Sequence, residues 1–245
     1  MTDVTRLCVG VLGGMGPEAT VDFFGKLVAA TPATRDGDHL RILIDDDPTV
    51  PDRSAGIAGT GPSPAPHLAR MARGLVALGA ELLVMPCNGA HAFEADVRAA
   101  APGVPFLSLI EATVAATRAR RPDVTRVALL ATDGTLASRI YHRAFEAAGV
   151  SVSVPDADDQ RQVMDAIYAI KRGERGPAAA DALRAVAERL ASEGAEVVVA
   201  ACTEVPLVLR DGDVRVHGHN VDVISSTDAL VARTIDVALR GAEAR

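Results

Sequence analysis

Two stretches decide how this chain folds: Gly79-Ala80-Glu81-Leu82-Leu83-Val84-Met85-Pro86-Cys87 and Gly194-Ala195-Glu196-Val197-Val198-Val199-Ala200-Ala201-Cys202. Each is a glycine-led entry into a short apolar run that reads as a buried strand and closes on a cysteine. They lie 115 positions apart (202 − 87), and Val9–Gly16 lines up with Val127–Gly134 at almost the same spacing, 118 (127 − 9). Two matches at nearly one offset predict two similar lobes.

Working outward, strands are expected at 7–12, 40–44, 81–85 and 104–108, with helices over 18–30, 67–78 and 90–100. A glycine-rich turn, Gly13–Pro17, follows the first strand, and a loop rich in Asp, Pro and Gly spans 45–66. The second half repeats the rhythm, with strands at 127–130, 150–154 and 197–200 and helices over 134–148, 160–171 and 178–192. Short apolar strands alternating with amphipathic helices predict an α/β fold of two pseudo-symmetric lobes, each a parallel sheet flanked by helices. The expected boundaries are 1–110 for the first lobe and 111–221 for the second. A C-terminal helix within 222–245 is expected to pack back on the first. Each lobe then sets a cysteine at the carboxyl end of an internal strand, where open α/β sheets place their ligand sites.

Composition narrows the partners. Of 245 residues, 49% are apolar and 23% charged, which is the balance of a globular protein. The net charge is −7 and the basic residues are scattered, so no basic stripe offers itself to nucleic acid. Residues 1–7 lack the basic and apolar regions of a signal peptide. No apolar run is long enough to span a bilayer, so no membrane partner is expected. Three cysteines, an odd number, predict reduced thiols and a cytoplasmic protein.

Cys8, inside a strand, reads as a small core residue. Cys87 and Cys202 lie just past the apolar run of their strands and are followed by polar residues, Asn88-Gly89 and Thr203-Glu204. Backbone N–H groups at such junctions favour a thiolate, and are expected to draw the thiol from about 8.5 toward neutrality. Two equivalent thiols suit inversion of a carbon acid, one removing a proton from one face while the other delivers a proton to the opposite face. The carbanion between these steps needs positioned N–H groups and hydroxyls. His91, one helical turn beyond Cys87, either tunes that thiol or is a satisfied structural histidine. Glu204 either orients or repels its neighbour Cys202, or complements a helix dipole.

Other motifs carry less. Gly14-x-Gly16-x-x-Ala19 fits a relaxed dinucleotide fingerprint, but Pro17 sits inside it, and Asp36 and Asp38 precede the second strand instead of ending it. The turn is instead expected to let backbone approach a substrate. His217 and His219 have no third ligand at metal-site spacing, so no metal is expected.

Several motifs in order carry a resemblance: Gly10–Pro17 with Ala19-Thr20, Pro51-Asp52-Arg53, Met85–Asn88 with Ala90–Phe93, Leu129–Thr132 with Gly134-Thr135, and Cys202–Val205. Together they span nearly the whole chain, which resembles the aspartate/glutamate racemase superfamily and within it the aspartate racemases. The resemblance implies two α/β lobes with the active site in the cleft, homodimers, and no pyridoxal phosphate or metal. It implies that Cys87 and Cys202 are the acid/base pair and that Arg53 and Lys171 bind carboxylate. Asn88, Gly89, Thr132, Thr203 and Met15 then belong to the amino-acid pocket, with His91 and Glu204 in support. On propensity alone Arg53 is a solvated loop residue and Lys171 a helix terminus.

Gly89 stands where the family commonly has Thr, Asp133 where it often has Thr, and His217–Asn220 replaces a stretch that usually contains Asp-Pro. These departures bear on substrate more than on reaction. Aspartate leads, with glutamate, another amino acid, or a decarboxylase or isomerase of the superfamily as alternatives. Relatives that decarboxylate tend to keep one of the two cysteines, so retention of both favours racemisation.

Overall fold

A computed structural model describes residues 6–240; most of the N-terminal segment read for a leader, and the last five residues of the expected 222–245 segment, lie outside them. The described residues form two compact units, one of those up to 109 with those from 227 onward and one of residues 110–226.

The first unit runs β1 (Val9–Gly13), α1 (Pro17–Ala30), β2 (Ile42–Asp46), α2 (Arg53–Ala58), α3 (Ala65–Ala77), β3 (Leu82–Val84), a 3-10 turn at Gly89–Phe93, α4 (Glu94–Ala100) and β4 (Phe106–Leu107). The second runs α5 (Leu109–Arg120), β5 (Arg126–Leu130), α6 (Asp133–Ser138), α7 (Ile140–Ala147), β6 (Ser151–Ser153), α8 (Ala157–Lys171), α9 (Pro177–Ser192) and β7 (Val197–Ala200). It continues through the hairpin β8 (Arg215–Val216) and β9 (His219–Asn220) to β10 (Asp222–Ser225). The last helix, α10 (Ser226–Arg240), returns to the first unit, where the Leu7 N–H donates to Ala238 O. None of the helices among the described residues is long and apolar enough to cross a membrane.

Both main sheets are parallel and four-stranded, in the orders β2-β1-β3-β4 and β6-β5-β7-β10. The repeat is kept in the register: Val9 pairs Leu82 in one sheet, and Val127 pairs Val197 in the other. Strands β3 and β7 are fully buried, as strands covered on both faces must be, which is why they read as unbroken apolar runs.

The repeated Gly-Ala-Glu has a mechanical reason. Gly79 and Gly194 adopt left-handed φ of 97° and 105° and end the preceding helices. Gly79 N–H donates to Val76 O and Ala80 N–H to Leu75 O; Gly194 and Ala195 do the same with Ala191 and Leu190. Glu81 then accepts from the Cys8 N–H (3.0 Å). Glu196 accepts from Arg126 N–H (3.2 Å), Thr125 N–H (3.0 Å) and the Thr125 hydroxyl (2.6 Å). Each carboxylate thereby ties the root of one central strand to its neighbour.

The structure departs from the sequence reading in a few places. Residues 222–225, expected to open the C-terminal helix, are the fourth strand of the second sheet. Ile224 beside Val199 extends the pattern by which β4 flanks β3. Helix α5 was not anticipated, because its apolar face is short and interrupted by Glu111 and two threonines, Thr113 and Thr117, both buried. The expected 134–148 helix breaks at Arg139, whose φ of 54° separates α6 from α7. The expected loop 45–66 contains α2, capped by the Asp52 carboxylate on Ala55 N–H (2.8 Å).

At the glycine-rich turn it is the chain's own backbone that comes close. Gly14 has φ 87°, and a Cβ there would lie 2.3 Å from the Asp47 carbonyl carbon. Asp47 cannot give way readily, because its carboxylate is bound by the Thr49 N–H (2.9 Å) and hydroxyl and pairs with Arg70. Gly14→Ala is therefore expected to cost at least about 2 kcal/mol from combined backbone strain and overpacking. That corresponds to a loss of about 4–8 °C in Tm for a chain of this size. A thermal melt indistinguishable from that of the parent overturns this account of the turn.

Candidate active site

In the first unit the chain leaves β3 through Met85 and Pro86 and reaches Cys87, buried and followed at once by the 3-10 turn. Cys87 shares the core with Met15, Val50 and Ala90. The backbone carbonyl of Cys87 lies 2.8 Å from His91 Nδ1, and the Leu109 N–H donates to His91 Nε2 (3.0 Å). A backbone N–H can only donate, so Nε2 is the acceptor and Nδ1 carries the hydrogen that goes to Cys87 O. Burial holds His91 below its ordinary pKa, in the neutral form this pattern requires. Of the two readings for His91, the satisfied, orienting histidine is the one the geometry supports.

Arg53 opens α2, which packs against the turn that follows Cys87. Its Nη1 donates to the carbonyls of Val50 and Pro51 (3.2 Å each), which aims a half-buried guanidinium. Asn88 is buried beside Cys87, and Gly89, partly exposed, begins the 3-10 turn.

In the second unit the thiol is handled differently. Cys202, 6% exposed, donates from Sγ to Glu204 Oε2 (2.9 Å), which also accepts from the Thr203 hydroxyl (3.2 Å). The other oxygen, Glu204 Oε1, meets Lys171 Nζ at 2.5 Å. Lys171 is the last residue of α8, and its side chain is 30% exposed against 6% for Glu204. The sequence reading expected strand-end N–H groups to draw the thiol toward neutrality; at Cys202 the direction is the opposite. Burial pushes the thiol well above its ordinary pKa and the Glu204 carboxylate pushes it further, while Lys171 opposes both. Of the readings left open for Glu204, orientation of Cys202 through a hydrogen bond is the one found.

Thr132 caps α6, its hydroxyl accepting from Thr135 N–H (3.3 Å) just past the carboxyl end of β5, which runs beside β7. Asp133 is exposed and accepts from Gln160 Nε2 (2.7 Å), which tethers it to α8. Cys8 is buried in the core and raised in pKa by that burial. His217 and His219 lie on the β8–β9 hairpin, with His217 at φ 50° in its turn. Sequence reasoning missed Tyr141, one of only two tyrosines and fully buried on α7. Its hydroxyl lies 3.4 Å from Thr113 Oγ1, it also bonds to Ser226, and it is close enough to Cys202 for the two to interact electrostatically. A tyrosine one helical turn from Phe145, in a chain that is 3% aromatic, was the available signal.

Residues 12–234 match the Asp/Glu/hydantoin racemase family. The aspartate racemase of Picrophilus torridus superposes with a TM-score of 0.79 at 29% identity, covering 95% of this chain and 94% of that one. The broad-specificity amino-acid racemase RacX of Bacillus subtilis is 27% identical over 213 residues, 82% of this chain and 87% of its own. A glutamate racemase of Corynebacterium kroppenstedtii is 31% identical over 200 residues, 77% of this chain and 66% of its own. With the family matched over nearly the whole chain and the fold shared from end to end, this protein belongs to the Asp/Glu/hydantoin racemase family and is an isomerase of the amino-acid racemase class.

Proposed function

We propose that the protein interconverts L- and D-aspartate by a two-base mechanism in which Cys87 and Cys202 act on opposite faces of one α carbon. The observation that carries this reading is a pair of buried cysteines at equivalent positions of a repeat conserved down to its helix stops and strand register. One thiolate takes the α proton while the other thiol supplies its replacement, and the roles exchange in the reverse direction. The two sulfurs thus provide all the proton transfer that inversion needs. Buried polar groups at the strand ends, Asn88 and Thr203 with their backbone amides, suit stabilisation of the intervening carbanion. Thr132, Gly89 and Met15 complete the proposed pocket.

Aspartate is favoured because Arg53 is aimed by two carbonyls and can hold a second carboxylate. The similarity to glutamate and broad-specificity racemases supports a second reading, a wider substrate range. Gly89, which lacks a hydroxyl, leaves room for it.

Cys87→Ala and Cys202→Ala are each expected to lose about 10²–10⁴ of the racemisation rate. With the parent enzyme in deuterated water, the inverted product carries deuterium at the α carbon; full activity in either variant refutes the two-base scheme. Arg53→Ala is expected to lower kcat/KM for aspartate more than about tenfold, the equivalent of a charged hydrogen bond of about 1.5–3 kcal/mol, while rates on neutral amino acids change little. If a panel of L-amino acids shows fastest α-proton exchange on a neutral or cationic side chain, aspartate is the wrong substrate.

His91→Leu removes both the donor to Cys87 O and the acceptor for the Leu109 N–H. It is expected to destabilise the fold by about 1–3 kcal/mol and to lower kcat. His91→Gln, whose amide can serve both partners, recovers most of each. Because His91 is neutral and locked, the glutamine variant keeps the parent pH–rate profile; loss of a limb of that profile shows that His91 itself titrates in catalysis.

A further inference from the structure

We propose that Glu204 is the proton relay that reloads and unloads Cys202 between turnovers, with Lys171 as its anchor instead of a substrate ligand. This rests on the two-base reading and deepens it.

The need for a relay follows from burial. Two-base inversion leaves the enzyme in a changed state after each turnover: the thiolate that took the α proton is now a thiol, and the thiol that gave one is now a thiolate. Each sulfur must then exchange a proton with water. Cys202 is 6% exposed, so direct exchange at Sγ is hindered. Glu204 Oε2 sits 2.9 Å from Sγ, and its other oxygen meets Lys171 Nζ, whose side chain is 30% exposed. The carboxylate therefore spans the gap between a buried sulfur and a group that reaches solvent.

The steps balance. When Cys202 has given its proton to the carbanion, Glu204 takes a proton from the Lys171 ammonium and passes one along the existing hydrogen bond to Sγ, and Lys171 Nζ, which reaches solvent, takes its replacement from water. Thiol, carboxylate and ammonium are restored. In the opposite direction Lys171 gives a proton to water, and the carboxylate passes the Sγ proton to Lys171, leaving the thiolate that takes the next α proton. The Lys171 ammonium stabilises the carboxylate in a site 6% exposed, where an unpaired anion is costly. The Thr203 hydroxyl, donating to the same Oε2, fixes the carboxylate's orientation. The ionisable groups that act on Cys202 are Glu204 from its own turn and Lys171 from α8; the Tyr141 hydroxyl on α7, kept protonated by burial, also lies near it.

This assignment changes what Lys171 does. An ammonium held at 2.5 Å by a buried carboxylate is engaged by that partner, which leaves Arg53 as the residue for the substrate's second carboxylate.

The test separates the relay from the racemase reading by measuring Cys202 without substrate. In a full-length Cys8→Ala/Cys87→Ala background, where Cys202 is the remaining thiol, thiolate absorbance is followed against pH. Glu204→Gln preserves size and an acceptor while removing the negative charge, and is expected to move the Cys202 titration downward by about 1–3 pH units. Lys171→Met is expected to move it upward. In the chain with all cysteines present, Glu204→Gln is expected to lower kcat by about 10²-fold or more and kcat/KM much less, because reloading follows product release. Small buffer acids at rising concentration restore kcat, whereas a merely structural role is not rescued by buffer. Glu204→Asp, tested beside it, keeps the charge and recovers part of the rate. A Cys202 titration unmoved by Glu204→Gln, or a parental kcat in that variant, overturns the relay whatever the substrate proves to be. Absence of racemisation in the parent, with the titration shifted as expected, overturns the racemase reading and leaves the Cys202–Glu204 coupling standing.

Discussion

The arrangement depends first on how β3 and β7 are started. A left-handed glycine ends the preceding helix, two backbone bonds close it, and a glutamate ties the new strand to its neighbour's root. With the root tied and the strand fully buried, the point at which the chain leaves the sheet is set by the number of residues. Cys87 and Cys202 emerge at the carboxyl ends because those counts match in the two units. A slip by one residue would turn every side chain of a parallel strand to the opposite face.

The scaffold is symmetric in a way the chemistry is not. Cys87 is steadied through its carbonyl by a neutral histidine that cannot titrate without breaking its bond from Leu109. Cys202 is held through its sulfur by a charged carboxylate that is itself paired with a lysine. Burial and the adjacent anion both favour the thiol at Cys202.

The loops that hold Arg53 and Asp133 are bound to the same scaffold by local bonds. Asp47, packed on Gly14 and paired with Arg70, begins the segment that Asp52 caps and from which Arg53 projects. In the second unit Gln160 ties Asp133, at the end of β5, to α8 through a hydrogen bond.

The α/β class, the two lobes and the two candidate cysteines were legible in the sequence because burial on both faces demands unbroken apolar strands, and a duplicated unit repeats its spacing. The residues around the cysteines were legible as names and not as roles. Thr203, Glu204 and Lys171 could be picked out by motif, but 33 positions separate Lys171 from Glu204, and the packing of α8 against the turn after β7 decided that they pair with each other. Likewise the one-turn spacing from Cys87 to His91 was visible, whereas its tautomer was decided by a Leu109 N–H that approaches from 18 residues away. The strand at 222–225 was hidden because four residues carry too little periodicity to show their type. Local pattern in a chain reports what each segment buries. Which polar atom meets which, and hence where a proton rests, is settled by distances between segments that the order of residues leaves open.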